Sequence, residues 1–124
     1  MKILRNIIFA FLAVFTLLAC SGENPESVVQ KYVKAGKNAD FKTAQECCTK
    51  GIAAEFEQMA STFDEDDIKE LKERNAKIVV RVISTEIDGD VATVYIEEDN
   101  DGSVRNKEIT LWKEDGKWKI TDLY

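Results

Sequence analysis

The chain has 124 residues and a formal charge of −6, with three cysteines and no histidine. That length holds one domain. The acidic balance excludes nucleic acid and anionic lipid headgroups as partners held by the net field, and the missing histidine removes the usual near-neutral base and the commonest metal ligand.

Lys2 and Arg5 give a basic start, an apolar run of thirteen residues extends from Ile7 to Ala19, and Cys20 follows. Crossing a bilayer as a helix takes about twenty apolar residues. The run therefore reads as a signal peptide rather than an uncleaved anchor. The end Leu17-Leu18-Ala19-Cys20 resembles the lipobox of bacterial lipoproteins, in which the thiol is joined to diacylglycerol and the chain is then cut before it. Leu17 and Ala19 match, whereas Leu18 stands where a small or β-branched residue is usual. The resemblance implies a signal peptide over 1–19, a lipidated Cys20 opening a short tether over 20–24, and one domain over 25–124. The membrane is then a partner through acyl chains such as palmitate, each buried methylene contributing about 0.8 kcal/mol. Cleavage removes two bases and no acid and takes the charge from −6 to −8. Ser21, rather than aspartate, at the second mature position points to the outer membrane, in a host with two membranes.

Asn24-Pro25-Glu26 reads as a helix start: a capping side chain, a proline suited to the first helical position and an acid at the positive end of the dipole. Val28, Val29, Tyr32 and Val33 follow at helical spacing, to an end near Lys37-Asn38. Asp40 caps a second helix whose apolar face is Phe41, Ala44 and Cys48. Cys47 and Cys48 are adjacent, and their Cα atoms, about 3.8 Å apart, are too close for an unstrained disulfide. They read as small apolar core residues. With no histidine and so few thiols, a zinc site is excluded.

Ile52, Phe56, Met59 and Phe63 form a further helical stripe expected to be core. Asp64-Glu65-Asp66-Asp67 then precede Ile68 and Leu71, with Lys69, Lys72 and Arg74 behind, so acids open and bases close a last helix as its dipole favours. From Ala76 the period changes. A β-branched run from Lys77 to Ile87, a turn at Asp88-Gly89, alternation over Val91–Glu97, a second apolar pair at Ile109 and Leu111, a turn at Asp115-Gly116 and alternation around Trp118 and Ile120 predict a four-stranded antiparallel meander. Helices followed by such a sheet give an α+β fold, the helices covering one sheet face.

Between the second and third strands, Glu97, Asp99, Asp101 and Glu108 fall on positions one, three, five and twelve of an EF-hand loop, with Gly102 on the sixth. An EF-hand needs a helix on either side. The flanks Val91-Ala92-Thr93-Val94-Tyr95-Ile96 and Lys107-Glu108-Ile109-Thr110-Leu111-Trp112 alternate as strands instead, which turns the stretch into a hairpin and leaves calcium binding as an alternative.

Pro25-Glu26-Ser27-Val28-Val29-Gln30-Lys31-Tyr32, the linker Asn38-Ala39-Asp40-Phe41-Lys42-Thr43-Ala44 and the ending Ile109-Thr110-Leu111-Trp112-Lys113-Glu114-Asp115-Gly116-Lys117-Trp118-Lys119-Ile120 resemble small bacterial lipoproteins of a domain family of unknown function. Those belong to the cystatin-like, nuclear transport factor 2-like superfamily. The resemblance implies a strongly curved sheet wrapping helices into a cone, with a cavity between them. Ala39 departs from the glycine expected at its turn, which predicts a displaced end for the first helix.

Superfamily members that do chemistry commonly place an aspartate, histidine or tyrosine in the cavity. The inward face read here is Ala92, Val94, Ile96, Ile109, Leu111, Trp118 and Ile120, with no acid, base or nucleophile. Tyr32 and Tyr95 are expected as core or sheet-surface residues. No catalytic residue and no cofactor is therefore assigned. The reading is a membrane-tethered, non-catalytic domain of the cell envelope that binds a protein partner or a small apolar ligand. The alternative from another class is a cavity enzyme using a buried carboxylate.

Overall fold

The computed structural model describes residues 23–123; the basic start, the apolar run and the lipobox with Cys20 lie outside the described residues. Four helices, α1 (Pro25–Lys37), α2 (Phe41–Glu46), α3 (Lys50–Ala60) and α4 (Glu65–Ala76), precede strands β1 (Ile78–Asp88), β2 (Val91–Asn100), β3 (Ser103–Glu114) and β4 (Lys117–Leu123). The strands form one antiparallel sheet in chain order. This is the α+β meander expected from the change of period.

Local chemistry starts the helices where the caps predict. Asn24 Oδ1 accepts from the Ser27 amide at 2.7 Å, ahead of Pro25. Asp40 accepts from the Thr43 amide at 3.2 Å and from the Thr43 hydroxyl at 2.7 Å, and these bonds hold its carboxyl below the usual carboxylate range. At α4, Asp64 and Asp67 each accept the other's amide, at 2.8 and 3.1 Å, so two orphan donors are satisfied reciprocally. The acidic run is a helix cap.

The end of α1 is not displaced by Ala39. The Asp40 amide donates to Ala35 O at 2.8 Å and the Ala39 amide to Gly36 O at 3.2 Å, the paired bonds of a Schellman closure, with Ala39 held at φ 52°. A left-handed backbone costs an alanine about 1–2 kcal/mol. Ala39→Gly removes that strain and returns part of the gain as unfolded-chain entropy. A net stabilisation of about 0.5–1 kcal/mol is expected, a rise of roughly 4 °C in thermal denaturation.

All three hairpins turn through two residues. Asp101 and Gly102 have φ of 53° and 93°, and Asp115 and Gly116 have 54° and 77°, the double positive φ of type I′ turns whose twist suits the flanking strands. The register of β1 on β2 slips between Val82 and Ser84. Before the bulge Ile78, Val80 and Val82 lie on the helix-facing side, whereas after it Thr85 and Ile87 fall on that side, Ile87 beyond the cover of the helices and 59% exposed.

The core lies between α1, the Cys47–Thr49 segment and the inner face of β2–β4. Val28 and Val29 meet Ala92, Val94, Ile96, Ile109, Leu111 and Ile120 there, and Leu111 and Ile120 have no exposed surface. Among the described residues the core cluster runs from Val28 to Ile120.

Two expectations about the helices change. Cys48 does not lie on α2, which ends at Glu46. The chain leaves the helix and runs beside β4: the Ile120 amide donates to Cys47 O at 2.8 Å and the Thr49 amide to Ile120 O at 2.9 Å. Backbone groups on the sheet edge that would otherwise stay open are thereby paired. The stripe on α3 is also only half covered. Phe56 packs near Tyr32 at 6.0 Å and Phe63, just past the helix, near Phe41 at 5.8 Å, and Ile52 and Phe56 reach the core cluster, but Met59 is 45% exposed.

Candidate functional site

A cleft of about 360 Å³ opens between the C-terminal end of α1, the end of α4 and the inner face of β1–β3. Its apolar walls include Val33, Ile78, Val80, Ile96 and Ile109. Gly36 and Lys37 border it beside Ile78, and Val29, two turns earlier on α1, lies beside Val82. The helix thus runs antiparallel to β1, and its last turn forms the rim. Asn75 Nδ2 near the end of α4 donates to Gly36 O at 2.8 Å, tying the two helix ends together across the mouth.

The inner face is not chemically empty, as the reading that stopped at Ile96 and Ile109 had it. Glu98 continues the inward row of Ala92, Val94 and Ile96, and Lys107 precedes Ile109 on the same face. Their carboxylate and ammonium meet at 2.5 Å. The Glu98 side chain is only 19% exposed. Period-two alternation carried two residues further on each strand is the signal that finds them. Tyr32 also borders the cleft, and burial pushes its hydroxyl up to about 12, which keeps the phenol protonated as a donor.

Tyr95 lies on the opposite, outer face, where its hydroxyl donates to Glu86 at 3.2 Å. The EF-hand candidates are placed as a hairpin. Glu97 sits opposite Asn106 and pairs with Arg81 at 2.5 Å, and Asp99 Oδ1 accepts the Gly102 amide at 2.9 Å. Asp101 occupies the turn and Glu108 lies opposite Tyr95. Among the described residues no group of three or more cysteines, aspartates or glutamates is arranged to hold a metal ion.

Cys47 and Cys48 are free thiols buried beneath the β4 edge. Burial raises both, and pushes Cys48 up to about 12. At pH 8 the native domain is expected to react slowly with a thiol reagent, both thiols reacting fast only after denaturation, as a colorimetric thiol assay reads. The sign of the pH effect follows. The unfolded chain loses the Cys48 proton near its ordinary value of 9.0 and the folded chain near 12, so this contribution to stability is intact below pH 9 and is lost as pH rises toward 12. Melting temperature should fall over that range, less steeply in Cys48→Ala.

Helices packed on one face of a four-stranded antiparallel meander are the α+β arrangement of the nuclear transport factor 2-like fold, which a solved structure shares. A Campylobacter jejuni protein provisionally described as an NTF2-like transpeptidase is 20% identical, with a TM-score of 0.55 over 81% of this chain and 99% of its own. An NTF2-like protein of unknown function from Shewanella baltica is 19% identical, with a TM-score of 0.48 over 79% and 89%. Another from Cytophaga hutchinsonii is 11% identical, with a TM-score of 0.46 over 82% and 88%. No curated protein sequence matches the chain. Residues 20–124 match the family Lipoprotein LpqB, N-terminal domain, and the chain belongs to that family. It is an envelope-associated lipoprotein domain of nuclear transport factor 2-like fold.

Proposed function

We propose that the chain is a lipid-anchored, non-catalytic domain that binds a small, largely apolar ligand in the cleft between α1, α4 and the sheet. Its layout is a signal peptide over 1–19, a lipidated Cys20 and tether over 20–24, and the binding domain over 25–124. The anchor holds it at the membrane, the outer one where the host has two.

The observation that carries the reading is the cleft itself: about 360 Å³, open to solvent and walled by valine and isoleucine. Binding sites for small molecules have this scale and this mixture of apolar walls with a few polar groups. Catalysis has less support. Acyl transfer of the kind named for the Campylobacter jejuni neighbour needs an activated nucleophile, and the cleft lining holds no serine, threonine or cysteine. Its one carboxylate is already engaged by Lys107.

Gly36 provides the test. It is helical and borders the cleft, and an added Cβ meets nothing within 4 Å. Gly36→Leu should therefore fill the space while improving helix propensity by up to about 1 kcal/mol. Native mass spectrometry of the mature chain against envelope extracts should find a retained small molecule in the wild type and little or none in Gly36→Leu, with melting temperature unchanged or raised. Equal retention by both would place binding elsewhere.

A further inference from the structure

We infer that the ligand of this cleft is an amphiphile with a single anionic head of the carboxylate class, held by Lys37 and sharing Lys107 with Glu98. The inference rests on the binding reading above and adds the charge and shape of the occupant.

The cleft differs in sign from the protein around it. The mature chain carries −8, yet the ionisable groups bordering the cleft, tyrosine aside, are Lys37, Lys107 and Glu98, two cations and one anion. Glu98 and Lys107 satisfy each other at 2.5 Å, which leaves Lys37 as the excess charge. Lys107 is 39% exposed and Glu98 only 19%, so Glu98 keeps its need of the ammonium, and a ligand anion has to share Lys107 rather than displace the carboxylate. A ligand carboxylate does so. It meets Lys107 in a charge-assisted hydrogen bond and lies within the field of Lys37. A cationic head meets two ammoniums and a carboxylate already engaged. A neutral head gains only the apolar walls. The single excess positive charge also matches one negative charge better than the two of a phosphate monoester.

The remainder of the ligand is set by the walls. Val33, Ile78, Val80, Ile96 and Ile109 offer no partner to a polar chain, and a volume of about 360 Å³ suits an unbranched hydrocarbon of medium length.

The test compares octanoate, 1-octanol and octylammonium, which share a chain and differ in head charge. Binding is read by amide shift perturbation on the isotopically labelled mature chain carrying Cys20→Ala, in the wild-type cleft and in Lys107→Met, Lys107→Arg, Glu98→Gln and Gly36→Leu. Octanoate should bind tightest and octylammonium weakest, with shifts centred on Ile78 and Ile109. Lys107→Met should weaken octanoate about tenfold and leave 1-octanol unchanged, whereas Lys107→Arg keeps the preference. Glu98→Gln should tighten octanoate by severalfold, since it removes the competing carboxylate. Equal affinity for the three heads, or an octanoate affinity indifferent to Lys107→Met, overturns the anionic-head inference and leaves the cleft reading standing. Absence of cleft shifts with all three, or shifts that survive Gly36→Leu, overturns both.

Discussion

Leu111→Ala should lower the unfolding free energy by about 3 kcal/mol and the melting temperature by more than roughly 10 °C. Leu111 sits at the centre of β3 with no exposed surface, packed within the cluster that joins α1 to the sheet. Truncation removes the transfer energy of its side chain and leaves a void that its neighbours fill only in part, because β2 and β4 are both hydrogen-bonded to the same strand. The domain has few large core residues. Leucine, isoleucine and valine make up its fully buried side chains, and the remaining core positions include alanines and cysteines. With native domains stable by only about 5–15 kcal/mol, this loss is a large fraction of the total. Chemical denaturation of both chains, with an unchanged dependence on denaturant, checks it. A change under 1 kcal/mol would mean that the helices do not press on the sheet as described.

Cys20→Ala should abolish lipidation of the protein and the cleavage that follows it. In the proposed layout the Cys20 thiol is the point of diacylglycerol attachment, and alanine has no sulfur to accept it. Two or three acyl chains bury several tens of methylenes at about 0.8 kcal/mol each, so the anchored form does not dissociate on the timescale of a fractionation. The variant should lose incorporation of radiolabelled palmitate and retain the uncleaved leader, read as slower electrophoretic migration. Its melting temperature should be unchanged, since the core cluster of the described residues runs from Val28 to Ile120. Continued palmitate labelling of Cys20→Ala would remove the anchor from the account.

The elements legible in the sequence are those fixed by neighbours along the chain. Asn24, Asp40 and Asp64 announce helices because a capping bond spans only three residues, and Asp101-Gly102 and Asp115-Gly116 announce turns because positive φ is a property of the residue itself. The calcium-like spacing dissolved for the same reason: Asp99 serves the Gly102 amide, a local bond that the hairpin needs.

The cleft was less legible, for two separate reasons. Glu98 lies inside Glu97-Glu98-Asp99 and Lys107 inside Arg105-Asn106-Lys107-Glu108, where a run of charges hides the alternation that still governs the strands. The mouth depends on a contact between Gly36 and Asn75, 39 residues apart, and no local signal reports such a meeting. Cys48 illustrates a third cause. Its spacing from Ala44 fits a helix, but pairing with Ile120 draws the chain out along the sheet edge.

The direction of α1 bears on how the proposed ligand would arrive. The helix is thirteen residues long, about 20 Å, and the cleft lies toward its C-terminal end. On the proposed anchor at Cys20, the cleft would therefore stand at the end of the helix remote from the lipid. A hydrocarbon chain still dissolved in the membrane would have to leave it before it could enter. On that proposal the domain would meet its ligand as single molecules from the water side.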